Sequence, residues 1–310
     1  MLNDYYQNVG LKGYFNRYGI WNGIKRGMFN AMPIHLVKDY EIKKVLWQKS
    51  ASKYVKKYIK YKDKNPEGLE FNCADILENP VWVFWNSGMD NAPDIVKACY
   101  RTLEKNSGGT VIALDEHNID EYVIFPSYIK EKVDNGNIPI AGYTDLMRFA
   151  LLEHYGGTWI DSTVYLSGPI SQVILNSDFF ALRNTMMLID NPVLYPAWFL
   201  HSKAGNKTIR EIRNVAFAYW SKEQHVIEYL LPNLIISELV KGTDVEKNMP
   251  YLSTDYSEYL IKCLGDEYSK EKLDWIFGLT GVHKLSYKLD DSIAKSDTIY
   301  CKLIEMKEIV

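Results

Sequence analysis

The chain has 310 residues, of which 47% are hydrophobic and 24% are charged. These values exclude a disordered chain and a small disulfide-held scaffold, and they predict one large globular domain or two unequal ones. The net charge of −3 hides an asymmetry, because residues 1–65 hold fourteen Lys or Arg against four acidic residues. The rest of the chain is strongly acidic and would repel a phosphate backbone, so we expect no nucleic-acid partner.

Three features of the sequence predict the compartment. The amino terminus lacks the basic start and apolar run of a signal peptide. No segment approaches the ~20 apolar residues that a membrane span needs. The four cysteines are widely spaced, without a CxxC pair, as reduced thiols usually are: Cys73, Cys99, Cys263 and Cys301. We therefore expect a cytoplasmic protein.

Residues 1–70 are predicted to form a basic helical segment that ends where Pro66 and Gly68 interrupt the pattern. Aromatic side chains are interleaved with cations in this segment, as at Trp21 and Lys25. Such a mixture suits an anionic lipid surface, and we expect peripheral association with the inner face of the plasma membrane. An equally good interpretation is a solvated helical face that packs by its apolar side.

Residues 71–310 are predicted to form a second domain in which strands and helices alternate. The runs VWVFW at 81–85 and GTVIALDE at 109–116 indicate buried strands, and a third short strand is predicted at 158–160. Predicted helices lie between or beside them, at about 92–105, 126–134 and 143–155. This order is typical of an α/β fold with a Rossmann-like, mostly parallel central sheet and helices on both faces.

Further along the chain, strands are predicted at 179–183 and 197–202, followed by two helices that meet near Glu223. The tail at 274–288 is punctuated by glycines and contains His283 and Lys284. His283 lies between Gly281 and Lys284, where we expect a mobile loop and a functional role for the histidine, and the alternative is a structural role, which is common for a lone histidine.

Three polar residues each follow a predicted strand: Asn86, Asp115 and Asp161. Ligands of α/β sheets collect beyond the carboxyl ends of the strands, so we expect the ligand site beside these residues. A carboxylate such as that of Asp161 can bind Mg²⁺ or Mn²⁺, which take oxygen ligands from carboxylates and substrate phosphates. The simpler alternative for Asp161 is an Asx turn that ends the strand.

The predicted helix at 143–155 places Asp145 and Arg148 on one face, because they are three residues apart. An acid in the first turn of a helix is often a simple cap, which is the alternative for Asp145. Arg148 stands on an otherwise apolar helix, and a guanidinium there needs a carboxylate or phosphate partner.

Several stretches between residues 78 and 288 resemble the capsular polysaccharide synthesis proteins, a group related to the retaining A-type glycosyltransferases of family 32. In the family's order they are VWVFWNSGMDNAPDIVKACYRTLEKN, VIALDEHNIDEYV, YTDLMRFALLEHYGGTWIDSTVYL, AWFLHSKAGNKTIREIRNVAFAYW and VHKLSYK. The long block at 143–166 is the specific element. The resemblance covers about two thirds of the chain and implies the A-type glycosyltransferase fold.

The resemblance implies roles for the substrate-binding residues. A nucleotide pocket would lie beside Trp85, Asn86 and Asp115. The ribose and donor sugar would be bound by Asp145 and Arg148, with Thr144 next to them.

The resemblance also implies a metal site. Asp161 would be the first acid of an Asp-x-Asp motif, but Thr163 stands where a second acid is usual. The hydroxyls of Ser162 and Thr163 would then help to hold Mg²⁺ or Mn²⁺. His283 would complete the metal shell, and the positive charges of Lys284 and Lys288 would balance the diphosphate.

The implied function is transfer of a hexose, galactose slightly before glucose, from a UDP-sugar to a polyprenyl-diphosphate-linked saccharide in bacterial capsule synthesis. The resemblance implies retention of configuration. Because no two acids pair convincingly as nucleophile and acid/base, front-face transfer is favoured. One alternative is a sugar-nucleotide or glycoside hydrolase. Another is a catalytically silent nucleotide-sugar-binding protein, which the missing second acid makes conceivable.

Overall fold

The computed structural model of the protein describes residues 2–31, 40–72, 78–184, 191–289, 293 and 297–306. Within this part of the chain Cys99, Cys263 and Cys301 are not joined in disulfides, and Cys73 lies outside it. No helix among the described residues combines the length and the apolar character that crossing a membrane requires.

Fourteen α-helices are defined in the described ranges: α1 (Leu2–Tyr18), α2 (Ile20–Ala31), α3 (Tyr40–Val55), α4 (Asp94–Asn106), α5 (Ser127–Asp134), α6 (Ile140–His154), α7 (Gln172–Leu175), α8 (Lys207–Lys222), α9 (Leu231–Val240), α10 (Asp244–Asn248), α11 (Thr254–Ser257), α12 (Leu260–Cys263), α13 (Lys270–Leu279) and α14 (Ile299–Glu305).

Nine strands are defined in the same ranges: β1 (Glu70–Phe71), β2 (Pro80–Phe84), β3 (Thr110–Leu114), β4 (Val123–Ile124), β5 (Gly157–Ile160), β6 (Val164–Leu166), β7 (Phe179–Ala181), β8 (Phe199–Ser202) and β9 (Val282–Lys284). Every strand predicted from a buried apolar run is present, and the predicted helices correspond to α4, α5, α6, α8 and α9.

The central sheet has five strands in the order β3-β2-β5-β8-β7. Strand β2 pairs in parallel with β3 and β5, whereas β8 is antiparallel to β5 and β7. Four strands run in one direction and β8 runs in the opposite direction, so the sheet is mixed. The prediction of a mostly parallel sheet is therefore confirmed only in part. Strands β7 and β8 follow one another along the chain and pair directly, as antiparallel neighbours do.

The amino-terminal helices pack on the same core as the sheet. Helix α3 contacts α9, and a 3₁₀ helix at Lys56–Tyr61 contacts α8. Buried side chains of this segment, including Tyr14, Trp47 and Val55, belong to the same hydrophobic cluster as residues of β2 and α6. The predicted helical character is confirmed for the described residues, and residues 32–39 lie outside them. The division at residue 70 stays a prediction.

Two glycines allow the turn from α6 into β5. Gly156 and Gly157 have φ values of +71° and +91°, which side chains disfavour. A Cβ atom at Gly157 would lie 2.0 Å from the carbonyl oxygen of Pro80, so only glycine lets β5 begin against β2. The indole of Trp82 donates to the carbonyl of Gly156 at 3.0 Å. This close packing sets the carboxyl end of β5 beside that of β2.

Two local predictions are wrong. The mobile loop predicted around His283 is instead strand β9 (Val282–Lys284), which pairs with β6. Helix α6 begins at Ile140, after Pro139, so Asp145 lies beyond the first turn and is not a helix cap. Pro139 is the sequence signal for this start. Proline has no backbone N–H, and at the amino-terminal end of a helix the N–H groups have no partner within the helix.

Candidate active site

A cleft of about 630 Å³ opens at the carboxyl ends of β2 and β5. Its volume falls within the roughly 300–1,000 Å³ of small-molecule sites. Ten of the twelve residues predicted for the site line it: Trp85, Asn86, Thr144, Asp145, Arg148, Asp161, Ser162, Thr163, Lys284 and Lys288. Asp115 and His283 are the two that do not.

Arg148 links two carboxylates on the floor of the cleft. Its side chain is 7% exposed, with Nη2 3.1 Å from Asp145 Oδ1 and Nη1 3.4 Å from Asp161 Oδ1. Nη1 also donates to the carbonyl oxygen of Ala197 at 2.5 Å, and the guanidinium lies 4.9 Å from the ring centre of Trp159. Arg148 was expected to need a carboxylate or phosphate partner, and it has two carboxylate partners, Asp145 and Asp161.

Asp161 is fixed through both its backbone and its side chain. Its N–H donates to the carbonyl of Trp198 and its carbonyl accepts from the N–H of Val164, both at 2.9 Å. Oδ1 accepts from the indole of Trp159 and Oδ2 from the ammonium of Lys284, each at 3.0 Å. These side-chain bonds go to neighbouring side chains, whereas an Asx turn would need a backbone N–H of the turn itself.

The two carboxylates differ in their electrostatics. Burial raises the pKa of Asp145 to about 7, and Arg148 offsets this only in part. Burial acts in the same direction on Asp161, but Lys284 and Arg148 outweigh it and hold the pKa of Asp161 below its ordinary value. Asp161 is therefore ionised at neutral pH, with a cation on each side.

The pairing of β6 with β9 brings Lys284 to Asp161. Lys284 lies opposite Val164 in the ladder, and the N–H of Leu285 donates to the carbonyl of Thr163 at 2.8 Å. Lys284 Nζ also donates to Thr163 Oγ1 at 2.7 Å. The lysine is therefore held by strand geometry rather than by a loose loop.

His283 faces the other way, because successive strand residues point to opposite faces. It is fully buried, with Nε2 2.9 Å from Ser167 Oγ and its ring 5.3 Å from that of Phe277. Burial lowers the pKa of His283 to about 4, so the ring is neutral at physiological pH. The structure therefore does not bring His283 to the cation position predicted for it.

Asp115 closes a turn after β3. Its Oδ1 accepts from the N–H groups of His117 at 2.8 Å and Asn118 at 3.1 Å. Asn86 lies between this turn and the cleft, and its Nδ2 donates to Glu116 Oε2 at 3.2 Å. Asp115 thus supports the rim of the cleft rather than lining it.

The donor set around Asp161 does not fit a divalent cation. Mg²⁺ and Mn²⁺ take oxygen ligands and are usually held by one or two carboxylates plus substrate phosphates. Here one oxygen of Asp161 faces an ammonium, and the other faces an indole N–H and a guanidinium. Within the described ranges, no three or more His, Cys, Asp or Glu residues form a group that could hold a metal. The Mg²⁺ or Mn²⁺ cofactor stays a prediction.

Sequence reasoning missed several residues that shape the cleft. Trp159, Trp198, Tyr229, Asn233 and Tyr287 all line it. Asn233 Oδ1 accepts from the N–H of Ala197 at 3.3 Å, which holds the segment whose carbonyls bind Arg148 and Asp161. The sequence does contain a sign of this role for Asn233. The residue is an amide within the apolar run YLLPNLII, and a polar side chain that is buried there needs a hydrogen-bond partner.

The family model for "Capsular polysaccharide synthesis protein" matches residues 32–303. The chain belongs to this family. Among curated proteins it is similar to "O-glycosyltransferase braB" of Annulohypoxylon truncatum, with 22% identity over 246 residues. That match covers 72% of this chain and 58% of the length of the relative. Among solved structures it is similar to "PaToxG Glycosyltransferase", with 14% identity, a TM-score of 0.40, and coverage of 85% of this chain and 97% of that one.

Proposed function

We propose that this member of the capsular polysaccharide synthesis family is a retaining glycosyltransferase. It moves a hexose, galactose in preference to glucose, from a UDP-sugar to a lipid-diphosphate-linked saccharide. The observation that carries the proposal is the paired-charge cluster, which we define as Asp145, Arg148, Asp161 and Lys284, at the floor of a ligand-sized cleft. The curated relative is by name an O-glycosyltransferase, which agrees with the reaction class.

The cleft offers suitable groups for each part of a nucleotide sugar. Trp85 and Tyr287 lie with ring centres 5.1 Å apart at its rim and provide aromatic surface for a base. Lys284 and Lys288 supply positive charge for a diphosphate. Asp145 supplies a carboxylate that accepts hydrogen bonds from sugar hydroxyls.

The acids of the cleft favour front-face transfer over a double displacement. Asp145 and Asp161 are its two lining acids among the described residues, and both lie against the guanidinium of Arg148. A retaining hydrolase places two carboxylates on either side of the glycosidic bond, one of them as nucleophile. Here the acceptor hydroxyl attacks the anomeric carbon on the face from which UDP leaves. The bond from that carbon to the β-phosphate oxygen breaks, and the departing oxygen takes the hydroxyl proton, while the chain positions both substrates.

Helix α2 suits a membrane-bound acceptor. Its apolar face, which we define as Ile20, Trp21, Ile24 and Met28, is exposed, with Trp21 at 78%. On the other side Arg26 forms an ion pair with Glu228 at 2.6 Å, which fixes the helix to the body. An exposed apolar face of this kind, with Lys25 beside it, is typical of helices that lie in a lipid interface.

The same helical region reaches the mouth of the cleft. The guanidinium of Arg17, at the end of α1, lies 5.3 Å from the ring centre of Tyr229, which lines the cleft. A lipid-linked acceptor held at α2 would therefore enter beside Tyr229.

The test is a panel of UDP-sugars incubated with a synthetic lipid-diphosphate monosaccharide, with product mass as the measurement. We expect one hexose to be added, and Asp161→Asn to lower kcat by about 10²–10³-fold. The control is Asp244→Asn, an exposed acid paired with Lys247, which should keep wild-type activity. UDP release without acceptor at the same rate would indicate a hydrolase, and binding without turnover a silent binding protein.

A further inference from the structure

We propose that the ammonium of Lys284 takes the place of the divalent cation that Asp-x-Asp enzymes use, so that this chain binds its nucleotide sugar without a metal. The inference rests on the proposed function, since the charge of Lys284 serves the diphosphate of the donor.

The position of Lys284 is the first argument. Nζ donates to Asp161 Oδ2 at 3.0 Å and to Thr163 Oγ1 at 2.7 Å, the two positions of the Asp-x-Asp pattern. An ammonium has three donors, so two are used here and one is left for a substrate oxygen. The side chain lines the cleft, as does that of Lys288.

The charge balance is the second argument. Two acids at positions 161 and 163 would carry two negative charges, which one divalent cation neutralises. With Thr163 in the second position, a single carboxylate remains, and one ammonium neutralises it. The charge of Lys284 therefore matches the single carboxylate that is present.

The surroundings of Asp161 are the third argument. Arg148 Nη1 lies 3.4 Å from Oδ1 while Lys284 contacts Oδ2, so a divalent ion at this carboxylate would have two fixed cations as neighbours. Like charges at such separations repel strongly in a partly buried site. The arrangement accepts an anion more readily than a further cation.

The consequence for the reaction follows from the leaving group. As the bond to the sugar breaks, negative charge grows on the β-phosphate, and a preorganised cation stabilises that charge most effectively. Lys284 is held in place by the β6–β9 ladder before the substrate arrives.

Calorimetric titration of the protein with UDP, once in excess EDTA and once in excess Mn²⁺, tests the inference. We expect dissociation constants that agree within about twofold, and a loss of at least about tenfold in both media for Lys284→Met, since a charge-assisted hydrogen bond is removed. The matched control is Lys203→Met. Lys203 is an exposed lysine paired with Asp178 and lies beside the amino end of β5, whereas the cleft lies at the carboxyl end, so this variant should bind UDP as wild type does.

A second variant tests this charge balance directly. Thr163→Asp combined with Lys284→Ala creates an acid pair and removes the ammonium, and we expect UDP binding that requires Mn²⁺. Wild-type binding that disappears in EDTA and returns with Mn²⁺ would overturn the inference but leave the proposed function intact. If UDP binds in neither medium, both are overturned. The wild-type comparison needs no variant to fold.

Discussion

The paired-charge cluster and the apolar face of α2 depart from ordinary packing in opposite ways. In the cluster, charged groups are partly or largely buried, and each has an oppositely charged partner. On α2, large apolar side chains are exposed to solvent. Buried charge is tolerated only when it is paired, whereas an exposed apolar face is stabilised only by a second apolar phase. The two departures are the observations behind the two ligands that we propose, a diphosphate and a lipid surface.

The largest expected effect comes from unpairing the cluster. Arg148→Met removes the guanidinium and leaves Asp145 without its ion-pair partner. Breaking a buried ion pair in this way costs about 3–5 kcal/mol. We expect the free energy of unfolding, measured by urea denaturation at neutral pH, to fall by that amount.

Arg210→Met is the matched control for Arg148→Met. Arg210 also binds a carboxylate, that of Glu153 at 2.8 Å, but its side chain is 45% exposed. Its loss should cost about 1 kcal/mol or less. Adding Asp145→Asn to Arg148→Met should recover part of the lost stability. If Arg148→Met and Arg210→Met lower the free energy of unfolding equally, the ion pairs of the cluster contribute no more to stability than a surface pair.

The next effect is the pH dependence of stability due to Asp145. Its pKa is raised from 3.8 to about 7 in the folded state, so between these values the folded protein holds a proton that the unfolded chain has lost. This contribution to stability is present below about pH 4 and is lost as the pH rises through 7, by about 4 kcal/mol in total, since each unit of the pKa shift corresponds to about 1.4 kcal/mol. The measurement is the difference in unfolding free energy between wild type and Asp145→Asn from pH 4 to 8. A difference that does not vary with pH contradicts the raised pKa.

Local sequence signals predicted three of the four residues of the paired-charge cluster. Asp145, Arg148 and Asp161 lie within one short block, where helix spacing and the end of a buried strand place the side chains. The direction of β8 was not predictable in the same way, because an apolar run indicates burial and not orientation.

The resemblance placed Lys284 in the site, but the sequence did not show that it contacts Asp161. It lies 123 residues from Asp161 along the chain. The two meet because β6, just after Asp161, pairs with β9 in the glycine-punctuated tail, and both strands have three residues. In such a ladder, a register shift of one residue exchanges the faces, so the sequence alone does not decide between His283 and Lys284. Only the pairing of Val164 with Lys284 puts the lysine in the cleft and the histidine in the core.

The smallest expected effect tests the other side of the comparison. The double variant Trp21→Ser, Ile24→Ser removes apolar surface from α2 without changing the core. It is preferred to a deletion of residues 1–60, which would expose the hydrophobic cluster that holds Tyr14 and Trp47. Each side chain contributes about 1.5–3 kcal/mol when fully buried in an apolar phase. Because burial in the interface is partial, we expect sedimentation with anionic vesicles to weaken by about tenfold.

Trp275→Ser is the control for this pair, since Trp275 is exposed on α13. It should leave vesicle binding unchanged. High salt should weaken the binding of wild type and of the α2 variant by a similar factor, because salt screens the lysines and arginines but not the apolar contact. If the α2 variant sediments like wild type, the exposed apolar face of α2 does not bind a lipid surface, and that half of the comparison between the two regions is wrong.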